Sequence, residues 1–148
     1  MSGIELKTEV KNLEAIDDAV AAMIAAAGDL TPVMDDIGAS LVVSTQYRFE
    51  IGQGPDGVDW TASKRVEALG GQTLVDKTHL FSSMTHEPAS DQVAVGSNMV
   101  YAAIHNFGGK TGRNKSVDMP ARPYLGIDAD DETMIMEKLT AYLAEVLQ

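Results

Sequence analysis

Three histidines, His79, His86 and His105, are the side chains best suited to acid–base chemistry or metal binding near neutral pH. A catalytic zinc site needs two of them at helical or hairpin spacing plus a third ligand. His79 and His86 stand seven residues apart, and neither H-x-x-x-H nor H-x-H occurs. The chain contains no cysteine, which excludes thiolate nucleophiles, thiolate metal ligands and disulfides. There is no G-x-S-x-G elbow, and Ser82-Ser83 fall in a segment read as a short helix. The glycine pairs at 70–71 and 108–109 match neither the dinucleotide fingerprint nor a P-loop. The carboxylates of "DADDE", Asp128 to Glu132, could hold a hard cation, but the calcium-loop spacing and its closing Glu are missing. Capping of a helix N-terminus accounts for them more simply. These absences predict no enzymatic activity, no cofactor and no metal. The alternative is an acidic hydrolase or metal-dependent enzyme using His105 with Asp118 or Asp128.

His105 lies in "YAAIHNFGG", Tyr101 to Gly109, where an apolar run ends in His105-Asn106 and a glycine pair. An active-site loop, a metal clip and an assembly arm all leave a core in this way. Read as a strand, the run buries Tyr101 and Phe107 in a sheet. His105 and Asn106 are then half exposed and free to hydrogen-bond the backbone of another chain.

Charge separates these options. The formal net charge is −11, which disfavours a general nucleic-acid binder. Of eleven Lys and Arg residues, four (Lys110, Arg113, Lys115, Arg122) fall between Gly109 and Pro123, beside a single acid, Asp118. A basic segment on an acidic body reads as one that reaches for a partner.

A chain of 148 residues predicts one domain. "MSGIELKTEVKNLEA" contains no apolar run of signal-peptide length, and Ala19 to Ala27 is too short to span a bilayer, which predicts a soluble, non-secreted protein without membrane contact. Alternation over Ile4 to Val10 predicts a short strand. Helical periodicity then runs from Asn12 to Ala27 and stops at Gly28. Thr31-Pro32 opens a second helix, with Thr31 as N-cap and a stripe of Val33, Ile37, Leu41, Ser44 and Arg48 that ends before Gly52. Together these predict an antiparallel helical hairpin. "GQGPDGVDWTAS" is a loop in which Trp60 plugs the core. Short helices are predicted at Lys64 to Leu69 and from about Asp76 to Met84. Val93 and Val95, a turn at Gly96-Ser97-Asn98 and a strand from Met99 to Phe107 predict a β-hairpin over 92–107. "MPARPYLGI" must be extended, because Pro120 and Pro123 fix φ and restrict their predecessors. Asp128 caps a last helix with the stripe Ile135, Leu139, Tyr142, Leu143 and Val146. The predicted class is α+β: an N-terminal helical hairpin, a small antiparallel sheet with a long hairpin and an extended basic arm at 108–123, and a C-terminal helix packed on the sheet.

Four motifs occur in order. They are Phe49 with Gly54, Pro55, Asp56, Gly57 and Trp60; Thr78 with Leu80, Ser83 and Met84; "VGSNMVYAAIHNFGG"; and "MPARPYLGI". Over about Leu30 to Ile127 this pattern resembles the phage virion-morphogenesis family of Mu-like and related tailed phages, also described as tail-completion proteins. His79 stands where that family tends to have glycine, and Asn106 where glutamine is commoner. The resemblance implies a structural protein of the neck, in the virion and made in the host cytoplasm. It implies a ring, commonly sixfold, joined to head connector or stopper and tail-tube proteins, with the genome passing through the lumen. Ring contacts are heterologous, one face meeting a different face of the next copy. On this reading the hairpin 92–107 belongs to a ring-forming sheet, Gly108-Gly109 hinge the arm, and the arm pairs with the acidic start of the last helix. The interface then comprises Tyr101, His105, Asn106, Phe107, Lys110, Arg113, Lys115, Arg122, Asp128, Asp130 and Asp131.

Overall fold

The computed structural model describes residues 14–71 and 79–146. The strand expected over Ile4 to Val10 lies outside these residues, as do Thr78 and the start of the helix expected from Asp76. Helix α1, Glu14–Ala27, buries Ile16 and Met23 from its apolar stripe. Gly28 ends it with φ +80° and an N–H that donates to Ile24 O at 2.9 Å. Helix α2, Thr31–Ile51, carries Pro32 in its first turn. Thr31 is its first helical residue rather than its N-cap, and the Asp29 carboxylate takes the Thr31 N–H at 2.9 Å. Asp29 therefore supplies the capping oxygen.

Helix α3 occupies Lys64–Leu69, as expected, and Ser63 Oγ caps it by accepting from Val66 N–H at 3.2 Å. A single turn, α4, follows at His79–Ser82. The C-terminal helix α6, Ala129–Val146, lies along both α1 and α2. Each of those helices packs more extensively on α6 than on the other, so the expected helical hairpin is part of a three-helix layer. Ile16, Met23, Leu30, Val33, Met34, Ile37, Ile135 and Leu139 form its core, with Val93 packed against them from the neighbouring sheet.

The predicted pairing of the sheet is corrected. Strand β2, Val93–Gly96, pairs antiparallel with β1, Thr85–Pro88, which precedes it, and His86 stands opposite Val95. The turn lies at 89–92, where Ala89 N–H donates to Gln92 O at 2.7 Å. Ser97 closes β2 instead of opening a second strand: its hydroxyl accepts from Met99 N–H at 3.1 Å and bonds Ser83 Oγ at 2.6 Å. The run expected as the partner strand is helix α5, Ala102–Phe107, which buries Ala102 and Asn106 four residues apart on one face. Phe107, expected in a sheet core, is 63% exposed. At Gly38 the hairpin lies directly on α2, where a Cβ would fall 2.6 Å from both His86 Cδ2 and Val93 Cγ2.

The expected extended arm is a second two-stranded sheet. Strand β3, Gly109–Thr111, pairs with β4, Val117–Met119, through Lys110 opposite Asp118. A 3₁₀ turn at Arg113–Lys115 forms the tip, with Asn114 and Lys115 left-handed at φ 57° and 53°. The fold is α+β, with helices, two small antiparallel sheets and a terminal helix closing the layer that β2 joins.

Candidate assembly surface

Residues 120–128 form a strap without helix or strand, so its buried backbone groups need partners from elsewhere. Asn106 Oδ1 accepts from both Tyr124 N–H at 3.0 Å and Leu125 N–H at 3.2 Å. Trp60 Nε1 donates to Pro123 O at 2.8 Å, and Arg48 Nη1 donates to Tyr124 O at 2.9 Å. Arg122 donates from N to His105 O at 2.9 Å, from Nε to Thr61 O at 2.7 Å and from Nη1 to Met119 Sδ at 3.7 Å. The Tyr124 hydroxyl donates to Ala102 O at 2.6 Å, and burial pushes this phenol well above its ordinary range. Below the strap sits an aromatic core in which Phe49 meets Trp60 edge-on at 5.6 Å and Tyr124 at 5.2 Å.

At the end of the strap, Asp128 and Asp131 cap α6 reciprocally: Asp131 N–H donates to Asp128 Oδ1 at 2.7 Å, and Asp128 N–H donates to Asp131 Oδ2 at 3.1 Å. Arg48 Nη2 bridges both carboxylates. Burial alone would raise the Asp128 carboxyl. The Asp131 N–H and the Arg48 guanidinium outweigh that effect and hold it below its ordinary value.

Several residues expected at a partner interface are thus committed within the subunit. Asn106, Arg122 and Asp131 are buried, and Asp128 is tied to Arg48. Asn106 was expected to be half exposed, yet it is 5% exposed because α5 turns it inward beneath the strap. The acidic start of α6 is not a free patch, since two of its four acids serve the cap and the ion pair. Gly108 is not a loose hinge either: at φ +72° its backbone lies so close to the strap that a Cβ would meet Ala121 N at 2.6 Å. Arg48 is the residue that the sequence signalled and the interface reading left out. A charge on an apolar helical stripe needs an opposite charge inside the fold.

His105 is half-buried, with its ring edge-on to Tyr101 at 5.7 Å, and its Nδ1 has no hydrogen-bond partner. Burial first, then the neighbouring Arg122 charge, lowers its pKa below 6.5. Neither carboxylate of the hydrolase alternative engages it. Asp118 pairs with Lys110 at 3.2 Å, and Asp128 pairs with Arg48. Among the described residues no three His, Asp or Glu side chains are grouped to hold a metal. No described helix is long and apolar enough to cross a membrane.

Most of the remaining expected residues face outward. Phe107, Lys110, Arg113, Lys115 and Asp130 are exposed, and Tyr101 is half-buried. Lys110 is matched by Asp118, whereas Arg113 and Lys115 form no ion pair with any described residue. The β3–β4 hairpin therefore presents unmatched positive charge on a strongly acidic chain.

A small α+β domain with an internally latched strap and a solvated basic hairpin is the form taken here by a known class: the chain belongs to the phage virion morphogenesis family, whose profile matches residues 11–144. It is similar to the Mu-like prophage FluMu G protein 2 of Haemophilus influenzae, with 34% identity over 137 residues, 93% of this chain and 95% of that protein. It is also similar to the putative capsid assembly protein G of Escherichia phage Mu, with 29% identity over 122 residues, 76% of this chain and 78% of that protein. No solved structure matches the chain.

Proposed function

We propose that this protein is a structural component of the phage neck or tail terminus. It forms a ring, sixfold as in the tails it serves, that completes the tail and joins it to the head connector. Membership of a virion morphogenesis family supports a role in particle assembly, as does the capsid assembly named for the phage Mu relative. The observation that carries the reading is the β3–β4 hairpin, where Arg113 and Lys115 stand exposed on a chain of net charge −11. Such a hairpin is built to meet an acidic protein surface. Exposed Phe107, Lys110 and Asp130 and half-buried Tyr101 are further partner contacts. Other copies of this chain, the connector or stopper and the tail-tube protein are its partners. The acidic body leaves DNA phosphates ungripped, so the genome slides through the lumen. The protein works without catalysis or metal, in the virion, after synthesis in the host cytoplasm.

Native mass spectrometry of the chain, alone and with connector and tail-tube proteins, tests this proposal. A discrete closed oligomer in at least one condition is expected. A monomer in every condition, including extracts of assembled particles, would overturn it.

A further inference from the structure

The α2–α6 pair has a second charged feature at the end remote from the strap. Pro32, Val33, Asp36, Glu137, Lys138, Ala141, Tyr142 and Glu145 line an open groove of about 520 Å³. Its lining combines the apolar Pro32, Val33, Ala141 and Tyr142 with the charged Asp36, Glu137, Lys138 and Glu145. Lys138 Nζ is paired with Asp36 at 2.9 Å. Glu137 and Glu145 form no ion pair with any described residue, so the groove carries two negative charges unmatched among the described residues. Glu137, Ala141 and Glu145 follow one another at intervals of four on a single helix face.

The basic hairpin is the complement of this groove. After the Lys110–Asp118 pair is discounted, Arg113 and Lys115 leave two unmatched positive charges. Val117, 47% exposed, adds an apolar side chain next to them. We propose that the β3–β4 hairpin of one copy seats in the α2–α6 groove of the next, with Arg113 and Lys115 on Glu137 and Glu145 and Val117 toward the apolar lining residues. This inference rests on the ring reading and names the two faces that such a ring joins.

The groove and the strap lie apart along α2. Arg48, which holds the strap from which the hairpin springs, lies twelve helical residues from Asp36, about 18 Å at 1.5 Å per residue. Two different faces at opposite ends of one subunit make a heterologous contact, the kind that closes a ring.

The absence of native cysteine makes the test clean. Val117→Cys and Ala141→Cys are introduced together and treated with a short bismaleimide after assembly. The double variant is expected to give a ladder of covalent oligomers, and each single variant none. In parallel, Arg113→Glu with Lys115→Glu should weaken assembly about tenfold or more, Glu137→Lys with Glu145→Lys should do the same, and the four together should restore it. Closed oligomers by native mass with no ladder and no effect of the Glu137/Glu145 reversal would overturn the groove contact while leaving the ring intact. A cross-link within one chain, or from Ala141→Cys only to a different virion protein, would also overturn it. Monomers throughout would instead remove the ring reading on which it rests.

Discussion

The strap at 120–128 and the hairpin at 109–119 adjoin in the chain and draw on similar residues, yet they use them oppositely. In the strap, polar groups are consumed inside the subunit: Arg122 on Thr61 O, the Tyr124 and Leu125 amides on Asn106, and Asp128 on Arg48. In the hairpin, Arg113 and Lys115 face solvent and the Lys110–Asp118 pair is exposed on both sides. Family motifs run through the strap and stop at Gly109 and Met119, the two ends of the hairpin, and the motif residues Asn106, Arg122 and Tyr124 are buried, so a motif residue does not by itself announce an interface. Burial separates the two roles, and the two regions should fail in different assays when mutated.

The largest effect is expected at Arg48. Arg48→Ala leaves Asp131 buried without its counter-charge, which should cost about 3–5 kcal/mol in urea unfolding. A loss no larger than that of a surface substitution would show that the strap is not anchored as described. Asn106→Ala orphans two buried backbone N–H groups, at about 1–3 kcal/mol for each one left unsatisfied. Its amide protons at Tyr124 and Leu125 should lose hydrogen-exchange protection together.

These strap contacts mark the limit of what the sequence alone made legible. Helix α3, the Trp60 plug and the Asp128 cap could all be read because each depends on neighbours in the chain or on a single large side chain seeking the core. The β-hairpin could not be read correctly. Val93 and Val95 suit a partner on either side, and the choice fell to Ser97, whose hydroxyl turns the chain back toward Ser83. The run "AAIHNF" is too short for periodicity to distinguish helix from strand. Asn106 and Arg122 read as surface residues because the Tyr124 donor that bonds Asn106 and the Thr61 acceptor that takes Arg122 lie 18 and 61 positions away. The exposed charge of Arg113 and Lys115 was legible because composition alone exposes it. Arg48 carried its own signal, as a charge on an apolar stripe.

Acid should act on α5, whose His105 carbonyl accepts from the Arg122 amide of the strap. The lowered His105 pKa means that the unfolded chain takes up a proton first as pH falls below 6.5, so stability present above that value declines through the folded-state pKa. Asp128 acts lower: its contribution is complete above 3.8 and fades as pH falls through its depressed folded value. Thermal melts of wild type and His105→Gln between pH 7 and 5 should diverge, with the variant less sensitive to pH. Parallel curves would place the early acid loss elsewhere.

The smallest effect on folding belongs to the hairpin. Arg113→Glu with Lys115→Glu should change unfolding free energy by no more than about 0.5 kcal/mol, since neither side chain is paired or buried. Moderate salt should be equally harmless to the fold while loosening assembly, because exposed charges are screened over about 8–10 Å.

Electron microscopy of intact particles at side-chain resolution tests the central claim most directly. The expected result is a closed ring of this chain at the head–tail junction, with residues 109–119 of each copy against the next. A chain absent from the junction, or present there with its hairpins pointing into solvent, would contradict it.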